Sequence, residues 1–214
     1  MVVNASSAGA LVAESRHASL VVVATHATGG VVGHLAGSVA AQVAAHAHCP
    51  VIVTRPTSYA ELDPATFADH PVVVGLDSSP ESDHAMDLAV EQAVARGTKL
   101  HAVYAWNVLE VHDIGPIVAD RFVNADEEAK ALRLLTEGPR AGPTGTRTCA
   151  SCAKSSTAWI RSTRSRTRRD AGLIVVGSRG HGGFLGLRLG STVDALIRHA
   201  NAPVAVARGY DADH

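Results

Sequence analysis

The chain has 214 residues, of which 46% are hydrophobic, 18% charged and only 4% aromatic, a composition that calls for a globular fold cored by Val, Leu, Ile and Ala, as in a buried parallel sheet. A formal net charge of −1 excludes a general electrostatic attraction to nucleic acid or to an anionic membrane. No apolar run approaches the roughly 20 residues needed to cross a bilayer, and the length is more than one compact domain and less than two of ordinary size.

Met1 to Ala10 has neither a basic n-region nor a long apolar h-region, so no secretory signal is expected. Three cysteines do not make a disulfide framework, and a reducing cytoplasm is the expected compartment. Residues 20–55 then align with 173–208 without a gap, at a constant offset of 153. Leu20-Val-Val-Val23 matches Leu173-Ile-Val-Val176, and Gly29, Gly30 and Gly33 match Gly182, Gly183 and Gly186. Gly37-Ser38 matches Gly190-Ser191, His46-Ala47 matches His199-Ala200, Pro50-Val51 matches Pro203-Val204, and Arg55 matches Arg208. A unit of about 150 residues is a domain rather than a solenoid repeat. The second copy has its N-terminal half, from Pro71 onward; the first keeps only its last two strands and the helices around them. The expected organisation is a truncated domain over 1–56, a linker over 57–70 and a complete domain over 71–208. Within the first copy, His46-Ala-His48-Cys49 reads as a helix end, where an imidazolium is favourable, and no metal is expected there.

In the second copy, Val72-Val-Val-Gly-Leu76 reads as a buried strand and Asp77-Ser-Ser-Pro80 as a turn and helix cap, with Pro80 near the first helical position. Glu81 to Arg96 follows as an amphipathic helix with Ala85, Leu88, Ala89, Ala93 and Val94 inward, and Gly97 is placed to stop it. Leu100 to Trp106 is a second strand, and Asp126 to Glu137 a helix with Ala131, Leu134 and Leu135 as its apolar stripe. Leu173 to Val176 is a strand, Ser191 to His199 a helix and Val204 to Ala207 a last strand. The alternation predicts a parallel sheet with right-handed crossovers.

Residues 138–169 break the pattern: they hold one Ile, one Trp and no Val or Leu, and are rich in Arg, Ser, Thr and Pro. That is the composition of a shifted reading frame in GC-rich DNA. Back-translating residues 155–168 with G or C third bases and reading each third base with the next two yields Val-Val-His-Gly-Val-Asp-Pro-Val-Asp-Ala-Leu-Ala-Asp-Ala, a strand end, a turn and an amphipathic helix. Two compensating frameshifts, near Glu137 and Asp170, whether in the gene or in its sequencing, would account for this. As written, the segment is expected to be disordered and to cost the domain its third strand. Cys149-Ala-Ser-Cys152 has no second pair to make a zinc site, and the arginines of 161–169 are read as shifted codons rather than a nucleic-acid tail.

Gly177-Ser-Arg-Gly180, nine residues, then Gly190-Ser191-Thr192 leads out of a strand and into a helix. Glycines let a backbone approach a polyphosphate and take positive φ, successive amides form an anion nest, and a helix N-terminus offers orphan N–H donors. Ser191 and Thr192 add hydroxyls, and Arg179 a charge-assisted contact. The loop is neither a Walker A loop nor a tight Rossmann G-x-G-x-x-G.

Gly-x2-Gly-x9-Gly-Ser after a Val-Val strand resembles the ATP-binding signature of the universal stress protein family. Val73-Val-Gly-Leu-Asp77-Ser-Ser resembles that family's first strand with its nucleotide-contacting Asp, and Ala202-Pro203-Val204-Ala-Val its last strand. The resemblance covers 8–56, 71–137 and 170–208. It implies an α/β fold of the adenine nucleotide alpha hydrolase-like kind, an open parallel sheet of order 3-2-1-4-5 with nucleotide at the switch point between strands 1 and 4. It places Gly75, Asp77 and Ser78 in the nucleotide site, Asp77 on ribose or adenine, and the backbone of Val103 against adenine. Gly177, Gly180, Gly190, Ser191 and Thr192, with Arg179, hold phosphates. Asp77 also reads as a helix N-cap, and the two roles are compatible. In the first copy Ala24 and Ala27 replace the first two glycines and the acidic strand is missing, so no nucleotide is expected there.

The implied function is a regulatory, stress-response protein that senses or stores ATP, with Mg²⁺ as its counterion and at most slow hydrolysis. No general base or Mg²⁺ carboxylate pair is legible. An enzyme on the same fold, or a dimerisation module that binds no nucleotide, are the alternatives. Tandem members of the family meet through antiparallel last strands, so residues 50–54 are expected beside 203–207, as an intramolecular pseudo-dimer or across a homodimer.

Overall fold

The computed structural model describes residues 6–25, 38–54, 70–77, 79–105, 148–153, 171–180, 189–200 and 202–208, with Ala105 and 148–153 described in backbone only. In chain order the elements are α1 (Ser7–Glu14), β1 (Val21–Ala24), α2 (Ser38–His46), β2 (Val51–Thr54), β3 (Val72–Leu76), α3 (Pro80–Arg96), β4 (Leu100–Ala105), β5 (Thr148–Ala153), β6 (Leu173–Gly177), α4 (Ser191–His199) and β7 (Val204–Ala207). Ser78, Trp106 and the expected helix over 126–137 lie outside the described residues.

The strands are short aliphatic runs and the central ones are buried on both faces: Val72, Val73 and Val74 of β3, and Leu173 and Val175 of β6, are 0% exposed. That burial is what a parallel sheet with helices on both sides demands. All the strands join one seven-stranded sheet, ordered β1-β2-β7-β6-β3-β4-β5. From β3 onward the strands are mutually parallel and lie β5-β4-β3-β6-β7, the 3-2-1-4-5 order of the complete domain. The sheet as a whole is mixed, because β2 pairs antiparallel with β7 and carries β1 parallel beyond it.

The β2–β7 ladder pairs Val51 with Val206, Ile52 with Ala205 and Val53 with Val204. The repeat offset of 153 carries Ile52 onto its own partner, Ala205. The two copies are therefore related by a pseudo-two-fold axis through that pair.

Each face carries its own core. On one, α2 (Ala40, Val43, Ala44) and α4 (Val193, Leu196, Ile197) cover Val21, Val23, Val51, Val53, Val73, Ile174, Val176, Val204 and Val206. On the other, Ala85, Ala89 and Ala93 of α3 cover Val72, Val74, Leu173, Val175, Ala205 and Ala207, with Ile52 at the margin. α3 begins with Pro at its first turn and acids at Glu81 and Asp83, and ends on Gly97, whose φ of 62° is the left-handed C-cap geometry.

Two expectations are corrected here. Val94, expected inward, is 38% exposed: the alanine row of α3 meets the sheet and Val94 sits at the edge of that stripe. The third strand is not lost either. Thr148–Ala153 pairs along the full length of β4, from Leu100↔Thr148 to Ala105↔Ala153. Sheet pairing is a main-chain interaction, and the edge of β4 pairs with an uncharged run that is poor in aliphatic side chains. The rest of 138–169 lies outside the described residues. Among the described residues no helix is long and apolar enough to cross a membrane.

Candidate functional site

β3 and β6 are parallel neighbours, in register from Val72↔Leu173 to Gly75↔Val176. The helix after β3 packs on one face and the helix after β6 on the other. The chain thus leaves the two adjacent carboxyl ends in opposite directions, which makes this the topological switch point, where the crevice that usually takes a ligand in an open α/β sheet is found.

Asp77 is the first residue beyond β3. Its Oδ1 accepts from Ser79 N–H at 3.0 Å, Ser79 Oγ at 2.6 Å and Ser82 Oγ at 2.7 Å, while its own N–H donates to Ser82 Oγ at 3.0 Å. Ser79 holds the N-cap position of α3 by backbone geometry but makes no side-chain cap bond. The capping oxygen is supplied from Asp77, where negative charge meets the positive end of the helix dipole. Ser79 and Ser82, buried at 5% and 6% exposure, belong to this cluster and were not anticipated from sequence. The available signal was two hydroxyls three residues apart across the helix start, just after an acid.

The loop after β6 meets this cluster closely. A Cβ on Gly180 would overlap Asp77 Oδ2. A Cβ on Gly177 would stand 2.7 Å from Glu81 Cβ and 2.8 Å from Glu81 O, inside the first turn of α3. Among the described glycines only Gly97 has a positive φ, which corrects the conformational part of the sequence argument: Gly177 and Gly180 are required for space. Arg179, between them, pairs with Glu81 through Nε at 3.1 Å and Nη2 at 3.0 Å, so its guanidinium lies over the start of α3.

Gly190 N–H donates to Ser178 C=O at 2.9 Å, tying the beginning of α4 to the end of β6. Gly190 is the N-cap of α4, extended at φ −69° and ψ 149°, with no side-chain cap bond. Its own amide is therefore engaged within the fold, and the donors toward the crevice are those of the first turn, at Ser191 and Thr192. Residues 181–188 lie outside the described residues.

The structure thus brings Asp77, Gly177, Arg179, Gly180 and Gly190 together, with Ser191 and Thr192 on the adjoining turn, and Gly75 paired with Val176 on the neighbouring strand. Val103 sits differently. It is in register between Gly75 on β3 and Ser151 on β5, two residues short of the strand's end, with its side chain in the core. Its main chain serves the sheet rather than the crevice. Among the described residues no group of three or more His, Cys, Asp or Glu is placed to hold a metal ion.

A mostly parallel open α/β sheet with helices on both faces and a glycine-bearing loop at its switch point is a doubly wound fold. The sequence profile of the universal stress protein family matches residues 2–55 and 70–208, and the chain belongs to that family. Universal stress protein Rv1996 of Mycobacterium tuberculosis is 35% identical over 204 residues, covering 91% of this chain and 60% of the relative. Universal stress protein Rv2623 of the same organism is 32% identical over 208 residues, covering 97% of this chain and 67% of the relative. The chain thus spans about three fifths to two thirds of the length of these relatives. Among solved structures, a universal stress protein of Archaeoglobus fulgidus matches over 94% of this chain and 66% of its own with a TM-score of 0.61 at 20% identity. At that identity the likeness is one of fold.

Proposed function

We propose that this protein is a cytoplasmic stress-response regulator whose complete copy, residues 71–208, binds adenine nucleotide, ATP with Mg²⁺ as the expected form. The observation that carries the reading is the contact between Gly180 and Asp77: with no Cβ in the way, the loop holds an acidic acceptor beside a helix N-terminus that no side chain caps. A nucleotide has matching polarity, with hydroxyl and amine donors at one end and anionic phosphates at the other. Asp77 serves the nucleoside end and the first turn of α4 the phosphates. Residues 20–55 repeat 173–208, and the junction of the two copies through β2 and β7 takes the place of a dimer interface.

The test is a titration with a fluorescent ATP analogue, competed by ATP and by adenosine, on the protein and on Ser191→Asp. A carboxylate at the first helical position favours the helix by about 0.3–1 kcal/mol through its dipole but repels phosphate. ATP affinity is expected to fall about tenfold or more with thermal stability kept and adenosine little affected. ATP binding to Ser191→Asp as tight as to the parent protein rules this site out.

A further inference from the structure

Arg179 is rooted at the start of one helix and reaches to the start of another. A Cβ on Gly190, the N-cap of α4, would stand 3.7 Å from Arg179 Cα, so the main chain of Arg179 runs beside the turn proposed to receive phosphate. Its side chain leaves that turn for α3, which packs on the other face of the sheet. There Nε, at 3.1 Å, and Nη2, at 3.0 Å, both donate to the same oxygen, Glu81 Oε1. The arginine expected to hold phosphate is thus engaged by a carboxylate of the same chain.

The two partners are held unequally. Side-chain exposure is 55% for Arg179 and 20% for Glu81. Glu81 lies in the first turn of α3, where the helix dipole favours its charge with or without the arginine. Its main chain is packed against Gly177 so closely that a Cβ there would strike it. Two N–H groups converging on one oxygen forgo the parallel fork in which a guanidinium meets a carboxylate or a phosphate most strongly. An exposed pair of this kind contributes little, whereas a phosphate chain offers arginine several anionic oxygens and more charge. In an exchange of partners, Glu81 stays and Arg179 moves.

We infer that Glu81 is a built-in competitor for the phosphate tail of the ligand. It holds Arg179 over the start of α3 until a polyphosphate settles on the first turn of α4 and takes the guanidinium from it. This exchange rests on the nucleotide site proposed above and adds a regulation to it. Ser191 and Thr192 are fixed donors, and Arg179 is a recruited one. Glu81 lowers the affinity for the phosphate end of the nucleotide by the strength of its own hold on Arg179, and leaves the nucleoside end untouched.

The experiment measures Kd for ATP and for adenosine, by competition with a fluorescent ATP analogue, on the full chain and on Glu81→Gln, Arg179→Gln and the double variant. Glu81→Gln keeps the length of the side chain and removes its charge; Glu81→Ala repeats the measurement with no group left to hold the arginine. Either is expected to tighten ATP about two- to fivefold, the range of an exposed ion pair, with adenosine unchanged. Arg179→Gln is expected to weaken ATP about fivefold or more. In that background Glu81→Gln should alter ATP by less than about 1.5-fold. The split between ATP and adenosine separates this role from a merely structural one, which would move both. Three results overturn the inference while ATP still binds. One is ATP affinity unchanged in both Glu81 variants. Another is ATP affinity lowered by them, which would make Glu81 a support for Arg179. The third is a gain of the same size in the absence of Arg179, which would reduce Glu81 to simple repulsion of phosphate. No saturable ATP binding to any of these proteins at millimolar concentration refutes the nucleotide site itself, and the exchange with it.

Discussion

Replacing Gly180 with Ala tests the assembly of the crevice by sterics alone. The backbone of Gly180 lies outside the left-handed region, so alanine suffers no conformational penalty there. Its methyl, however, overlaps Asp77 Oδ2 and comes within 3.3 Å of Asp77 Cγ. The backbone is anchored just before Gly180, by β6 and by the Gly190–Ser178 hydrogen bond, and the carboxylate, at the end of a side chain, is the part expected to move. Moving it draws Oδ1 away from Ser79 N, Ser79 Oγ and Ser82 Oγ. Loss of a helix cap costs about 0.5–2 kcal/mol, and hydroxyls buried beside it that lose a charged partner add to that, so about 1–3 kcal/mol is expected for Gly180→Ala. Asp77→Ala alone should cost about 1–2 kcal/mol by the same loss. In the Asp77→Ala background the methyl has nothing to strike, and the further cost of Gly180→Ala should fall below about 0.5 kcal/mol, within the range of independent sites. Urea unfolding followed by circular dichroism, on the four proteins of the cycle, measures this directly. If Gly180→Ala costs as much without the Asp77 carboxylate as with it, the steric account of the loop is wrong.

Two other glycines separate conformation from space. Gly97→Ala meets no atom within 4 Å but inherits a φ of 62°, and should lower stability by about 1 kcal/mol. Gly190→Ala sits at φ −69° with its nearest neighbours at 3.7 Å, and should be neutral to within about 0.5 kcal/mol; the reverse order in urea midpoints would overturn both assignments. His101, on β4, has its pKa pushed below the ordinary value of 6.5 by burial and, second, by the charge of Lys99. The unfolded chain then takes up a proton at higher pH than the folded one, so this contribution to stability is present above about pH 6.5 and is lost as the pH falls toward the folded pKa. The stability difference between the parent protein and His101→Gln should shrink from pH 7 to pH 5; a difference independent of pH would remove His101 as a cause.

The order of elements was legible because each central strand is a short aliphatic run bounded by Gly, Pro or Asp, and α3 is a long periodic segment with a proline at its start and a glycine at its end. The register of β2 on β7 was foreshadowed by the repeat, since a pseudo-two-fold axis must pair equivalent residues somewhere. What stayed hidden is what each loop glycine faces. Arg179 and Glu81 are 98 positions apart, and no local pattern announces that the loop after β6 will press on the cap of α3; that follows only once β3 and β6 are neighbours. The same adjacency changes what the difference between the two copies means. From sequence, Ala24 in place of Gly177 reads as the loss of a backbone approach to phosphate. In the fold, Gly177 is needed because the first turn of α3 lies against it, and Ala24 is exposed at an edge with no such helix among the described residues. The exchange of glycine for alanine at this position thus reports first whether a β3–α3 unit stands beside the strand, and affinity for a nucleotide only after that.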